Sequence, residues 1–402
     1  MSGVRGGGGS SDLSHWFCRE GRVLSVLMSR FRLVLVATVA LAGAGVGIAM
    51  IAVGPPSASA SSPVPVSTTY APTRTYDPGP SAATGSTDVY HCTLIDPHIA
   101  SNRYVVSSQL LPDKTYEVHH AIYFLVLPDK IAEAKTLDAG GNGWTCFGDP
   151  ISSASTFGAS TWLGVWVPGH GANKAPAGTG FVFPKGSQII MQVHYNLLKG
   201  SAPDRSRVRL ATIPATTKAV QPLIIDNFPA PIDLPCPTGV TGSLCDRSAS
   251  VSEQTTRVGP IGEVAANGLE IACHHDALHP VVTGGRVTTT CSYPIDGNFA
   301  IRQVTPHMHL LGQESSIVIQ RGSRTIPVVA VRHYNFDEQK SYTLKSPLPV
   351  RSGDRLTVSC TYDPRLRQQL PQLRKLAPRW VTWGEGSSDE MCLAIVSVTG
   401  QK

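Results

Sequence analysis

Short runs that alternate apolar and polar side chains, each closed by Gly, Pro or Asp, recur along this chain and restrict it to a strand-built fold. Successive residues of a strand face opposite sides, so such runs suit sheets that bury one face. "RYVVSSQLL" (103–111), "HHAIYFLVL" (119–127), "FVFPKGSQIIMQVHYNLL" (181–198) and "RVRLATI" (207–213) form a first set. "RVTTTCSYPI" (286–295), "FAIRQVTPHMHLLG" (299–312), "SSIVIQRGSRTIPVVAV" (315–331), "DRLTVSCTYD" (354–363) and "CLAIVSV" (392–398) form a second. Gly 38 and Pro 31 in 402 residues punctuate these runs and count against a helical protein. Few stretches keep a helical period, with 365–377 the best of them. The expected class is all-β, built of antiparallel sandwiches. "KGSQIIMQVHYN" (185–196) and "SGDRLTVSCTYD" (352–363) share a Gly turn, an apolar strand and a Tyr before a polar end. That echo suits two similar tandem domains, 88–225 and 226–402, divided in the Pro-rich stretch from Asp226 to Pro237.

The first 60 residues read as an upstream extension followed by an export segment. Met28 to Arg32 is a short basic lead, and Leu33 to Val53 is a 21-residue apolar run. Ala58, Ser59 and Ala60 then carry the small-x-small pattern of a signal-peptidase site. The same apolar run is long enough to remain as a membrane anchor. Residues 61–87, rich in Ser, Pro and Thr, read as a disordered linker. Eight of the nine cysteines follow: Cys92, Cys146, Cys236, Cys245, Cys273, Cys291, Cys360 and Cys392. No CxxC occurs, which removes zinc ribbons and thioredoxin-like motifs. An even count behind an export signal reads as four disulfides in an oxidising compartment, secreted or membrane-anchored outside the cytoplasm. The net charge of +6 owes much to five Arg against Asp12 and Glu20 in the first 60 residues. The remainder, at about +3, carries no Lys/Arg stripe, so no nucleic-acid partner is expected.

Six of the 13 histidines sit in turn-like sequence: His98, His170, His274, His275, His279 and His333. Five others lie in or against strands that should be buried: His119, His120, His194, His307 and His309. A buried imidazole needs partners for both ring nitrogens, and metal coordination satisfies one on each ring. In "VTPHMHLLG", His307 and His309 are two apart and project from the same strand face. His119 and His120 are adjacent and face opposite sides of a regular strand, so they share an ion only where the strand twists or bulges. With the thiols committed to disulfides and no carboxylate at ligand spacing, an all-imidazole site suits Cu, Zn, Fe or Ni, and a thioether would tilt it to Cu(I). Met391, in "SSDEMCLAIV", occupies a polar turn entering a strand, an odd place for a packing methionine.

The set "VHHAIYF", "MQVHYN", "PHMHLLG" and "SSDEMC", in this order from Asp88 to Ser397, resembles the copper type II ascorbate-dependent monooxygenases. That family includes peptidylglycine α-hydroxylating and dopamine β-monooxygenases. The resemblance implies two jelly-roll-like antiparallel sandwich domains, each holding one copper across a solvent-filled cleft. It implies an electron-transfer copper on His119, His120 and His194. A second copper, on His307, His309 and Met391, would be where O2 meets a small-molecule substrate, with ascorbate as reductant. Cys92 would pair with Cys146, and Cys360 with Cys392. Proximity suggests Cys236 with Cys245 and Cys273 with Cys291, with a longer-range bridge left open for Cys291. A further disulfide of the peptide enzyme has no counterpart, since Leu125 and Val126 stand in its place.

The resemblance also marks departures. Where the peptide-hydroxylating branch has an Arg that grips the substrate carboxylate, this chain has Thr305; Leu393 and Ile395 replace a nearby Asn and Tyr. Thr cannot replace a bidentate guanidinium, so peptide amidation is not expected. Gln192 matches the family and is expected to link the substrate side to the three-histidine copper. The leading expectation is a copper monooxygenase that hydroxylates an aliphatic C–H bond. A copper-binding protein on the same scaffold and a structural sandwich with incidental histidines are the alternatives.

Overall fold

The computed structural model describes residues 63–80, 87–146, 148–151, 161–169, 171–273, 281–386 and 388–400. The upstream extension, the apolar run from Leu33 to Val53 and the Ala58-Ser59-Ala60 site lie outside them, as do His170, His274, His275 and His279. No helix among the described residues is long and apolar enough to cross a membrane.

The protein is all-β, as its alternating runs require. The first strands are β1 (Val66–Tyr70), β2 (Asp88–Ile95), β3 (Arg103–Leu111), β4 (Val118–Val126), β5 (Trp144–Thr145), β6 (Thr161–Trp166) and β7 (Asn173–Lys174). Then come β8 (Thr179–Phe183), β9 (Gln188–Asn196), β10 (Arg207–Pro214), β11 (Gln221–Ala230), β12 (Asp233–Leu234), β13 (Val281–Thr283) and β14 (Arg286–Pro294). The last are β15 (Phe299–His307), β16 (Gly312–Arg321), β17 (Arg324–Val331), β18 (Tyr342–Val350), β19 (Arg355–Tyr362), β20 (Val381–Thr382) and β21 (Cys392–Thr399).

A five-stranded sheet in the order β5-β2-β9-β4-β6 packs on β10, β3 and β8 around Val105, Tyr123, Phe183, Met191 and Leu210. A second core lies between β11-β21-β15-β18 and the sheet β13-β14-β19-β16-β17, filled by Ile301, Ile317, Leu356, Val358 and Val396. One nine-stranded sheet runs through both halves, because β8 and β11 pair in parallel, Gln221 opposite Thr179. Four disulfides are formed: Cys92–Cys146, Cys236–Cys245, Cys273–Cys291 and Cys360–Cys392. The local partner of Cys291 is thus Cys273, and the set fits an oxidising compartment.

Three expectations change. The stretch 61–87 is not wholly a tether: Val66–Tyr70 is an edge strand on β10, and Tyr76 stacks on His91 with ring centroids 3.5 Å apart. Its backbone finds ladder partners and its tyrosines reach the core, which outweighs a composition poor in large apolar residues. Within 365–377 only α4 (Leu366–Gln369) is helical, since Pro371 follows and helices end before proline. Two 12-residue helices were not expected, α2 (Arg247–Val258) and α3 (Ile261–Ala272). Before them, α1 (Ile131–Leu137) follows β4.

Candidate metal centre

Strand alternation decides which residues leave the two cores. On β4, Ala121, Tyr123 and Leu125 fill the first core, while Ile122 and Phe124 turn outward; on β9, Met191 and Val193 turn inward. His120 and His194, directly paired across β4 and β9, lie on the outward face. His119 joins them through a bulge. The pairing passes from Val118 opposite Tyr195 to His120 opposite His194, leaving His119 as the extra residue. The strand irregularity that a shared ion would require is therefore present.

The three rings converge through one atom each. His119 Nδ1 lies 3.4 Å from His120 Nδ1 and 3.2 Å from His194 Nδ1, and the third edge is 3.3 Å. A point equidistant from the three lies about 1.9 Å from each, close to the ~2.0 Å of a metal–imidazole bond. His194 Nε2 sits 2.9 Å from Asp88 Oδ1, so the proton belongs on Nε2 and the Nδ1 lone pair faces the other two rings. Burial pushes His119 down to about 3, aided by His194, and holds His120 well below the ordinary imidazole range. Neutral rings are the form that binds metal.

His307 and His309 form the other set, ring centroids 5.2 Å apart on the H-x-H segment. Their outer nitrogens are both committed. His307 Nδ1 is 2.6 Å from Gln339 Oε1, an orientation fixed because Gln339 Nε2 donates to the Phe336 carbonyl at 3.1 Å. His309 Nδ1 is 3.1 Å from the Asp389 carbonyl oxygen. Both Nδ1 atoms must therefore carry the proton, which leaves the Nε2 lone pairs for a ligand. Burial lowers His307 and depresses His309 well below its ordinary value, so both are neutral near pH 7. Met391, 8 % exposed, opens on the same cavity as these two rings.

The residues that hold this second set gave no spacing signal. Glu390, fully buried, accepts from the His309 N–H at 2.8 Å and the Leu311 N–H at 2.6 Å. Asp389 is gripped by Arg257 of α2 through two bonds, at 2.8 and 3.1 Å. Tyr362 donates to the Met391 carbonyl at 2.6 Å, and the Cys360–Cys392 disulfide holds the next residue. Between the rings, Met308 turns into the second core and lies against Gly312, where any Cβ would sit 2.8 Å from Met308 Cβ. Tyr334 ties the Met308 backbone on both its N–H (3.0 Å) and its carbonyl (2.6 Å).

A cavity of about 200 Å³ separates the outward faces of the two sandwiches. Its floor is a sheet row of Asn227, Ile395 and Thr305, then Pro229, Leu393 and His307. Ile122, Phe124, Trp162 and Val165 of the other sheet line it too, as do His120, His309 and Met391. Thr305, Leu393 and Ile395 all line the cavity. Gln192 shares the His194 face but is wholly buried, donating to the Gly148 carbonyl at 3.2 Å. The Phe336 ring stands between the two histidine sets, 5.6 Å from His119 and 5.9 Å from His309. Part of the gap for which the resemblance implied solvent is thus filled by an aromatic side chain.

Residues 271–397 match the family model described as copper type II ascorbate-dependent monooxygenase, C-terminal domain. The match covers about a third of the chain. The matched stretch includes His307, His309 and Met391, whereas His119, His120 and His194 lie outside it. Among solved structures, allantoicase from Saccharomyces cerevisiae is 9% identical, covering 77% of each chain at a TM-score of 0.19. The coconut allergen cocosin is 11% identical over 84% of this chain and 86% of its own, at 0.13. Likeness at these scores carries no functional argument.

Proposed function

We propose that this protein is a copper-dependent monooxygenase that places one oxygen atom of O2 into an aliphatic C–H bond and releases the other as water. Two electrons come from an external reductant such as ascorbate and two protons from solvent, which balances the reaction. The observation that carries the reading is the triangle of Nδ1 atoms on His119, His120 and His194, whose His120 lines the same cavity as His307, His309 and Met391. The donor sets fit copper: three imidazoles at one site, two imidazoles and a soft thioether at the other. His119, His120 and His194 would hold one ion; His307, His309 and Met391 would hold the other. Bound there, copper supplies one-electron transfer and activation of O2.

The chain's own groups do the rest. Asp88, Gln339 and the Asp389 carbonyl fix which nitrogen of His194, His307 and His309 carries a lone pair. Leu393, Ile395 and Thr305 form the floor against which a substrate would lie beside the His307 and His309 rings. Copper analysis with X-ray absorption on the reduced protein tests the proposal. Two Cu per chain are expected, with sulfur at one site only, and O2 uptake with ascorbate that Met391→Ala abolishes. Binding of no copper after reconstitution would sink the reading.

A further inference from the structure

The cavity beside the two histidine sets has a chemical character of its own. No Lys or Arg lines it among the described residues. Thr305 on the floor shares a 2.7 Å hydrogen bond with Ser341. Two further polar side chains on the wall are engaged: Gln339 with His307 (2.6 Å), and Asn173 with the Val165 carbonyl (2.7 Å). Ile122, Phe124, Trp162 and Val165 on one side meet Leu393 and Ile395 on the other.

From this lining we infer that the substrate is an uncharged, mainly apolar small molecule, held by burial between the two sheets rather than by an ionic anchor. The inference rests on the monooxygenase reading and adds the substrate class. A carboxylate entering the cavity would shed its water and find no cation. An ammonium would meet two carboxyl groups on the lining, Asp149 and Glu385. Each already accepts a backbone N–H, from Ile151 at 3.2 Å and Gly148 at 3.2 Å. Burial also raises the Glu385 carboxyl to about 7, so it offers a weak counter-charge. An apolar molecule needs neither, and its C–H bonds come to rest beside His307, His309 and Met391.

The test uses three probes on one skeleton, 4-phenylbutan-1-ol, 4-phenylbutyrate and 4-phenylbutylamine. Each is titrated at pH 7 by calorimetry into the purified chain without reductant, so that nothing turns over. The alcohol is expected to bind at least tenfold more tightly than either ion. Thr305→Arg, which adds a guanidinium to the floor, is expected to raise affinity for the butyrate at least tenfold. Leu393→Gln is expected to weaken the alcohol by a similar factor; should that variant not fold, Thr305→Arg alone locates the site. Equal or tighter binding of either ion by the wild-type chain, no binding of the alcohol at millimolar concentration, or no change in butyrate affinity in Thr305→Arg overturns the inference. Copper content measured on the same samples separates the two ideas. A chain that prefers the alcohol yet binds no copper defeats the monooxygenase reading alone, and one that holds copper yet prefers the amine defeats the substrate class alone.

Discussion

Removing the Glu390 carboxylate should cost more than any other single change near the second histidine set. Its two oxygens accept the N–H groups of His309 (2.8 Å) and Leu311 (2.6 Å), and the side chain is wholly buried. Glu390→Ala leaves both donors without water or partner. Each buried unsatisfied N–H costs about 1–3 kcal/mol, so the loss should be about 2–6 kcal/mol, against a usual total of about 5–15 kcal/mol. Glu390→Gln keeps one acceptor and turns an NH2 towards the other donor, so it should lose roughly half as much. Urea unfolding of the metal-free chain, with slope and midpoint fitted separately, measures both. The order should be wild type, then Gln, then Ala. Stability unchanged within about 0.5 kcal/mol in both variants would show that the two hydrogen bonds do not hold the turn after the H-x-H segment.

Three other outcomes follow from the same geometry. Asp88→Ala removes the acceptor of His194 Nε2, and metal affinity at the three-histidine set should fall about 10- to 100-fold in chelator competition, with little change at the Met391 set. Replacing Cys360 and Cys392 together by Ser opens a loop closed across 32 residues and should cost about 3–4 kcal/mol of unfolding free energy, read by urea titration. Burial lifts Glu385 from 4.5 to about 7, so the folded state keeps a proton that the unfolded chain releases above pH 4.5. Stability from this group is full below 4.5 and is lost as pH rises to about 7. Glu385→Gln should therefore flatten the fall in stability between pH 5 and 8 by on the order of 2 kcal/mol, and an unchanged slope would refute it.

What was legible in the sequence was what alternation records. "RYVVSSQLL" is β3 from end to end, and "SSIVIQRGSRTIPVVAV" contains the β16–β17 hairpin turning at Gly322 and Ser323. Thr305, Leu393 and Ile395 were singled out by the resemblance, and the pairing of β15 with β21 puts them on one face. Helices α2 and α3 escaped because they bury small or polar groups, Ser250 and Gln254 on one, Gly262 and Ala266 on the other, and show no large apolar stripe. Their end signals were present: Asp246 caps the Ala249 N–H at 2.8 Å, and Gly259 with φ +84° precedes Pro260. The meeting of His119 with His120 was beyond pattern reading for another reason. A bulge belongs to the pairing of two strands, and no single-strand pattern records what β9 does opposite β4.

The segment from Asn335 to Gln339 carries a similar lesson about placement. Asn335 accepts from the Asp337 N–H at 3.0 Å and so shapes a single short turn. From that turn Phe336 lies against His119 of the first half, while Gln339 orients His307 of the second, its own amide held by the Phe336 carbonyl. Neither residue resembles a ligand, and neither lies in a regular strand. Yet one displacement of the turn would move the ring between the histidine sets and release the tautomer of His307 together. The two candidate ion sites are thus joined through side chains of one loop, and a change confined to the turn should be felt at both.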